Sequence, residues 1–322
     1  MASGERRVLL TGATGFVGGA VRPALRRAGW TVRCLSRRPP RPGERDDWVL
    51  GDVGDTASIR AAMNGCEAAL YLVHGMGEGN DFHAREVAAA RVFAQAAGAV
   101  GLRRVVYLGG MIPRARASEH LQSRREVGEA LRAGPVAAVE LRASMIVGHG
   151  SLSWLIVRDL AARLPVMVLP AWLRSRTQPV AIDDVVAALV AALETPLAES
   201  AVFDLPGPDI LSGAAILDQT AAVMGLGRAR RIEVPFLTPH LSSLWVRFVT
   251  RARWSVARQV VVGLTHDLLA DSDELWRRIG HERRVPFVEA ARRALAADLA
   301  ATAPGVWGII ERWRTATART AA

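Results

Sequence analysis

The sequence predicts an α/β protein: a doubly wound parallel sheet that carries a smaller, mainly helical C-terminal lobe. Three observations lead there. The first 150 residues alternate short apolar or β-branched runs with amphipathic segments, the mark of repeated βα units. The first apolar run, RVLLT, passes straight into three glycines spaced three apart and then into a helical pattern. Beyond residue 150 the alternation loosens into helices with occasional strands, without a clean linker or an internal repeat.

Strands are expected at Arg7 to Thr11, Thr31 to Ser36, Trp48 to Gly51, Ala68 to Val73, Arg104 to Leu108 and Ala137 to Arg142, each a short β-branched or apolar run. Helices fall between them. Phe16 to Ala28 stops at Gly29, Asp55 caps Thr56 to Met63, Asp81 to Ala97 ends near Gly98, and about His120 to Ala133 precedes Gly134 and Pro135. Later helices are expected over Asp183 to Glu194, Ser212 to Met224, Leu241 to about Leu264 and Pro286 to Ala300, followed by a fraying tail. The sheet domain therefore spans residues 1–150, with later elements returning to it at about 177–205, and the remainder of 151–322 forms the second lobe.

Half of the residues are apolar and 22% are charged, the balance of a folded globular protein. No apolar signal segment precedes the first strand, and Cys34 and Cys66 are too few for a disulfide framework or a metal cluster. A cytoplasmic protein without a bound metal is the expectation. The most apolar stretch, roughly Leu152 to Trp172, is interrupted by Arg158, Asp159 and Arg163 and falls short of the ~20 clean residues that cross a bilayer. All 41 basic residues are arginine. Without lysine there is no side-chain Schiff base, no Walker-type phosphate site and no Tyr-x-x-x-Lys pair. The net charge of +10 favours acidic partners, but the arginines are spread along the chain and no nucleic-acid module accompanies them. A solvated basic surface explains the charge, and no nucleic-acid partner is expected.

In RVLLTGATGFVGGA, Gly12 allows a tight turn, Gly15 lets the backbone approach a pyrophosphate, and Gly18 lets helix pack closely on strand. The helix start supplies free N–H groups and positive dipole to the anion. At the first strand-to-helix turn of a βα series this is a Rossmann-type dinucleotide cradle, with Gly12, Thr14, Gly15, Phe16, Val17 and Gly18 as its contacts. The second strand ends in SRRP, where Arg37 and Arg38 stand in place of the acid that binds ribose hydroxyls in NAD-preferring sites. Two guanidinium groups suit a 2′-phosphate, so NADP(H) is expected over NAD(H), unless the arginines merely face water. After the third strand, Asp52 and Val53 are placed to flank an adenine ring, and Asp52 reads alternatively as a helix cap.

With these motifs the chain resembles the atypical, extended short-chain dehydrogenase/reductases, specifically their NmrA-like NAD(P)H-binding members. TGATGFVGG, Asp52, YLVHGMG, HLQSRREVGE and RTQPVAIDDVVAALVAAL carry the resemblance, over about residues 6 to 300. It implies that Val73 and His74 lie beside the nicotinamide ribose, and that Gly109, Gly110 and Met111 border the reacting ring. Ordinary members place a serine after strand five and a Tyr-x-x-x-Lys pair on the next helix, and this sequence departs at all three positions. YLGGM offers Gly109 and Gly110 for the serine, and HLQSR offers His120 and Arg124 at the tyrosine-to-lysine spacing. The two tyrosines, Tyr71 and Tyr107, fall inside strands. Histidine can move protons near neutrality. Arg124, one turn on, shares its face and can orient a ribose or an anionic substrate without shuttling protons. His120 reads alternatively as a capping or surface residue. By the same resemblance Gln178 and Asp183 border the substrate side, Asp183 reading equally as a cap. Trp154, Trp172 and Trp245 are candidate pocket walls, or else packing residues.

Three functions are consistent with this set. One is an NADP(H)-dependent oxidoreductase that reduces a carbonyl, enone or quinone-like small molecule, with His120 or water supplying the proton. Another is a non-catalytic NADP-sensing regulator, suggested by the joint loss of serine, tyrosine and lysine. The third is a membrane-peripheral accessory protein of a quinone or lipid pathway, motivated by LSSLWVRFVTRARWSVARQVVVGL, where aromatic and basic residues interleave as in interfacial helices. A helix closing the substrate lobe has the same pattern, so a membrane surface is the less favoured partner. A homo-oligomer is compatible with the sequence.

Overall fold

A computed structural model describes residues 6–73, 82–113, 118–163, 166–169, 171–227, 230–233 and 266–301. The chain opens with β1 (Arg7–Thr11), α1 (Phe16–Arg27), β2 (Thr31–Ser36), β3 (Asp47–Leu50), α2 (Thr56–Met63), β4 (Ala68–Tyr71), α3 (Phe82–Val100), β5 (Arg104–Gly110), α4 (Glu119–Arg132) and β6 (Ala138–Ala143). These follow the expected order closely. Asp55 accepts from the Ser58 amide and caps α2, as its position before Thr56 suggests. Two boundaries differ in ways that bear on the site. β4 stops at Tyr71 instead of Val73, and β5 runs on through Gly109 and Gly110, which pair in register with Arg142 and Ala143.

The main sheet has the order β11-β6-β5-β4-β1-β2-β3, where β11 is Ala201–Asp204, and each adjacent pair is parallel. Strand order reverses between β1 and β4, the switch point at whose carboxyl edge such sheets bind ligands. Side chains alternate between its faces with the period of two that strands impose. Val8 and Leu10 pack under α1 and α6 (Ile182–Glu194), against Val21, Leu25, Val185 and Leu189. Leu9, Tyr71 and Tyr107 face the other way, toward Ile59 of α2, Phe93 of α3 and Val127 of α4. The sheet is thus covered on both faces, which the near-continuous apolar strands require.

After β6 come β7 (Ile146–Val147), α5 (Leu152–Arg163), β8 (Val166–Leu169), a 3-10 turn at Ala171–Arg174, β9 (Arg176–Thr177) and β10 (Val180–Ala181), which leads into α6. β12 (Leu211–Ser212), α7 (Gly213–Val223), β13 (Arg230–Glu233), α8 (Glu274–Arg278) and α9 (Phe287–Ala301) complete the described elements. The small strands make two-stranded pairs, β10 with β7, β12 with β9 and β13 with β8. These two- to four-residue strands have no sequence signal of their own, whereas the apolar stretch from Leu152 resolves into α5 followed by β8.

Trp154 is the anchor of this second lobe. It packs with Met145, Val147, Ile216, Phe287 and Ala291, and its indole N–H donates to Asp298 Oδ2 at 2.9 Å. With only 1% of its surface exposed it is a core residue and not the pocket wall that the sequence suggested, because α5, α7 and α9 close over the ring. Trp245 and the expected helix from Leu241 lie outside the described residues, as does the side chain of Trp172. Among the described residues no helix is long and apolar enough to cross a membrane.

Candidate dinucleotide-binding site

The site begins at Thr11, the last residue of β1. Its hydroxyl donates to the Leu70 carbonyl at 3.2 Å and accepts from the Leu72 amide at 3.0 Å, so a side chain ties β1 to β4 where the backbone leaves the strand. Gly12 then turns with a φ of 69°, a left-handed conformation that glycine adopts without strain. A Cβ on Gly18 would stand 2.1 Å from the Gly12 carbonyl oxygen, so the helix can approach the turn this closely only with glycine there. Gly15 differs. Its Cβ would meet only the Gly12 oxygen, at 3.2 Å, leaving its outer side open.

Gly15 is the N-cap of α1 and offers no side-chain cap, and no acidic residue stands in the first turn. The amides of Phe16, Val17 and Gly18 have no intrahelical acceptor. Three donors that neither caps nor acids satisfy, beside an open glycine, fit a pyrophosphate. Thr14 and Gly15 are exposed at this turn, with Phe16 and Val17 half-buried behind them.

Arg37 and Arg38 follow β2 and are exposed, neither side chain having a partner among the described residues. Nearby acids are taken by other arginines. Arg22 holds Asp46 at 2.6 Å and also pairs with Glu44, Arg26 reaches Asp46 at 3.2 Å, and Arg33 holds Asp47 at 2.6 Å. The contact with Arg22 holds the Glu44 carboxyl below its ordinary range. Cys34, beneath this network, is pushed up to about 12 by burial, and the negative charge of Asp46 adds to the effect, so it is an inert packing thiol.

Asp52 does not cap α2. Its Oδ1 accepts from the Gly54 amide at 2.8 Å in a local turn, while Asp55 makes the cap. Val53 is half-buried against the cluster beneath α2 and α3. Val73, just past β4, packs against that same cluster, and His74 lies outside the described residues.

On the other side of the switch point β5 ends at Gly110. A Cβ there would lie 3.1 Å from Arg124 Cδ and 3.3 Å from Leu121 Cδ2, which brings the strand end, Arg124 and the first turns of α4 together. Ser118 caps α4 through the Leu121 amide, so His120 is not the cap. Arg124 Nε donates to His120 Nε2 at 3.1 Å, the i,i+4 contact expected from their spacing. The other ring nitrogen, Nδ1, is buried without a partner among the described residues. Burial first, and the Arg124 charge second, push the imidazole down to about 3, so the ring is neutral at physiological pH. A neutral ring that accepts at Nε2 carries its proton on Nδ1 and offers a donor there. Tyr107 is spent elsewhere, its hydroxyl donating to the Arg124 carbonyl at 3.2 Å from a buried strand position.

Met111 is buried against Leu121 and Leu268. Gln178 is occupied: its Oε1 accepts from the Ala270 amide at 2.8 Å, and its backbone oxygen from Ser144 Oγ at 3.0 Å. It ties residues 268–270 beside Met111 and leaves its carboxamide oxygen committed. Asp183 is an exposed first-turn residue of α6 paired with Arg293 at 3.0 Å, and the N-cap is Ala181. The neighbouring Asp184 is the buried one, accepting from the Val285 amide at 2.9 Å and contacting His281 Nε2 at 2.8 Å.

Sequence reasoning missed Glu140. It is buried on β6, between Arg132 Nε at 2.9 Å and Arg142 Nε at 2.7 Å, behind Gly109 and against Gly128. A charged residue in the middle of the apolar run AAVELRA was the available signal.

Residues 12–196 match the protein family described as NAD(P)H-binding. The chain belongs to that family. It is also 30% identical to a protein named ceramide reductase from Caulobacter vibrioides (strain NA1000 / CB15N), over 274 residues that cover 72% of this chain and 86% of the relative. Among solved structures it is similar to MoeE5 in complex with UDP-glucuronic acid and NAD, with a TM-score of 0.70 and 18% identity over 90% of this chain and 98% of that one. A short-chain dehydrogenase/reductase superfamily protein from Agrobacterium tumefaciens with bound NAD gives a TM-score of 0.65 and 21% identity, over 98% of this chain and 100% of that one. At these identities the solved structures show a shared fold, that of the short-chain dehydrogenases and epimerases.

Proposed function

We propose that the protein is an NADPH-dependent reductase of a ketone carried on an apolar, lipid-like molecule. The observation that carries this reading is the buried Nδ1 of His120, which has no partner among the described residues and whose ring is bonded to the Arg124 that packs on Gly110. A buried donor left unmatched calls for a partner, and a ligand oxygen is the one this reading assigns to it. The preference for NADPH rests on Arg37 and Arg38, whose charges no acid among the described residues neutralises. The lipid character of the substrate rests on the named activity of the Caulobacter relative.

When bound, the reduced dinucleotide supplies a hydride with its electron pair to the carbonyl carbon. The chain's own part is positional. The first-turn amides of α1 hold the diphosphate, and Arg37 and Arg38 hold the adenosine phosphate. His120 Nδ1–H donates to the carbonyl oxygen as the π electrons move onto it, and a proton from water completes the alcohol. A neutral imidazole polarises an oxygen but does not cycle its proton near pH 7, so solvent is the acid.

The test is NADPH oxidation by purified protein with a panel of long-chain N-acyl amino ketones, enones, quinones and aldehydes. Turnover with the amino ketones, faster with NADPH than with NADH, is the expected result. NADPH binding without oxidation by any of them would replace this reading with a non-catalytic, NADP-sensing protein. That second reading is favoured by one observation: the chain has no lysine, and both tyrosines are buried strand residues.

A further inference from the structure

We infer that Gly110, Arg124 and His120 are one coupled unit, in which the glycine admits the arginine side chain and the arginine fixes the histidine tautomer that presents Nδ1–H to the substrate oxygen. This deepens the reductase reading above and rests on it for the identity of the ligand. The argument starts at Gly110. A Cβ there would already press on Arg124 Cδ at 3.1 Å and Leu121 Cδ2 at 3.3 Å, both tighter than ordinary contact. A serine adds an oxygen beyond that Cβ. A side chain at 110 therefore presses on Arg124 in its present position, and the arginine must give way by a few tenths of an ångström to admit it.

The second step is the hydrogen bond. A guanidinium has donors only, so Nε2 of His120, 3.1 Å from Arg124 Nε, is the unprotonated nitrogen. Free histidine divides its proton between the two nitrogens, and this contact removes the choice. The proton resides on Nδ1, which is buried and has no partner among the described residues. Arg124 is thus a positioning residue that acts through His120, and His120 is the group that meets the substrate.

The test uses the full chain labelled with 15N-histidine at pH 7, with the His120 resonances assigned by their loss in H120Q. We expect a pyrrole-type Nδ1 and a pyridine-type Nε2 in the wild type. R124M should move His120 toward the Nε2–H form. G110S, which leaves both His120 and Arg124 intact, should give the R124M pattern because the serine displaces the arginine. A wild-type Nε2–H tautomer, an imidazolium, or a G110S spectrum like that of the wild type would overturn the inference. Should G110S fail to fold, G110A, which adds the Cβ alone, must shift the same resonances in the same direction. R124M is also expected to lower kcat by about tenfold or more, with NADPH affinity within about threefold of the wild type. The tautomer requires no turnover, so wild-type spectra as expected without any carbonyl reduction would sink the reductase reading and leave the unit intact.

Discussion

The Leu72 carbonyl oxygen lies 2.5 Å from the point that a Cβ on Gly12 would occupy, so the residue that follows β4 is pressed against the first glycine turn with no room for a side chain. With a φ of 69° at Gly12 and a 2.1 Å clash awaiting Gly18, the G12A and G18A variants should each lose roughly 2 to 4 kcal/mol of stability. Gly15 has no such neighbour. G15A should melt within a few degrees of the wild type while NADPH affinity falls by about tenfold, because its Cβ enters the cradle and not the core. Thermal melts and calorimetric titration separate the two effects, and a G12A protein as stable as the wild type would contradict the packing described.

Arg37 and Arg38 lie outside the folded network that consumes Arg22, Arg26 and Arg33. Replacing either by alanine should leave the melting temperature unchanged and raise KM for NADPH by roughly 10- to 100-fold, the loss of one charge-assisted contact of about 1.5 to 3 kcal/mol. KM for NADH should hardly move. The NADPH effect should shrink at high salt because both groups are exposed.

His120 gives a prediction about pH. Its folded-state value of about 3 lies below the ordinary histidine value of 6.5, so the unfolded chain binds the extra proton between them. The contribution to stability is complete above pH 6.5 and is lost as pH falls toward 3. Removing the group should flatten the stability profile in that window by up to about 1.4 kcal/mol per pH unit, the slope of one proton. Denaturation of wild type and H120Q from pH 7 to pH 4 measures this. The same neutrality means that carbonyl turnover should show no His120 inflection between pH 5 and 8.

The sheet and the cradle were legible because each rests on local chemistry. Thr11 to Gly18 encode strand, turn and helix start within eight residues, and Asp55 announces α2 by its cap. The His120 and Arg124 contact was legible as a helical spacing of four. What the sequence hides is whether a polar residue is free or spent. Gln178, Asp183 and Asp52 have the right types in the right segments, yet each is engaged by a neighbour far away or a local turn that no spacing reveals. Trp154 is lost to packing for the same reason, since its partner Asp298 lies 144 residues on. The extension of β5 through Gly109 and Gly110 was missed because two glycines read as a break, whereas pairing with β6 keeps them in the ladder.

Glu140 supplies the last test, because it is charged, buried and remote from the glycine turn. Arg132 and Arg142 share its carboxylate, and a Cβ on Gly128 would stand 2.4 Å from Oε2, so α4 meets β6 closely at this group. Removing one member of a buried ion cluster costs about 3 to 5 kcal/mol, as the remaining charges lose their partner. E140A should fall in that range by chemical denaturation, and E140Q, which keeps the shape and loses the charge, should recover only part of it. G128A tests the contact directly. It should be strongly destabilising in the wild type and much less so beside E140A, with a coupling of about 1 kcal/mol or more between the two positions. Additive effects would mean that the carboxylate does not set the distance of α4, the helix that carries His120, from the sheet.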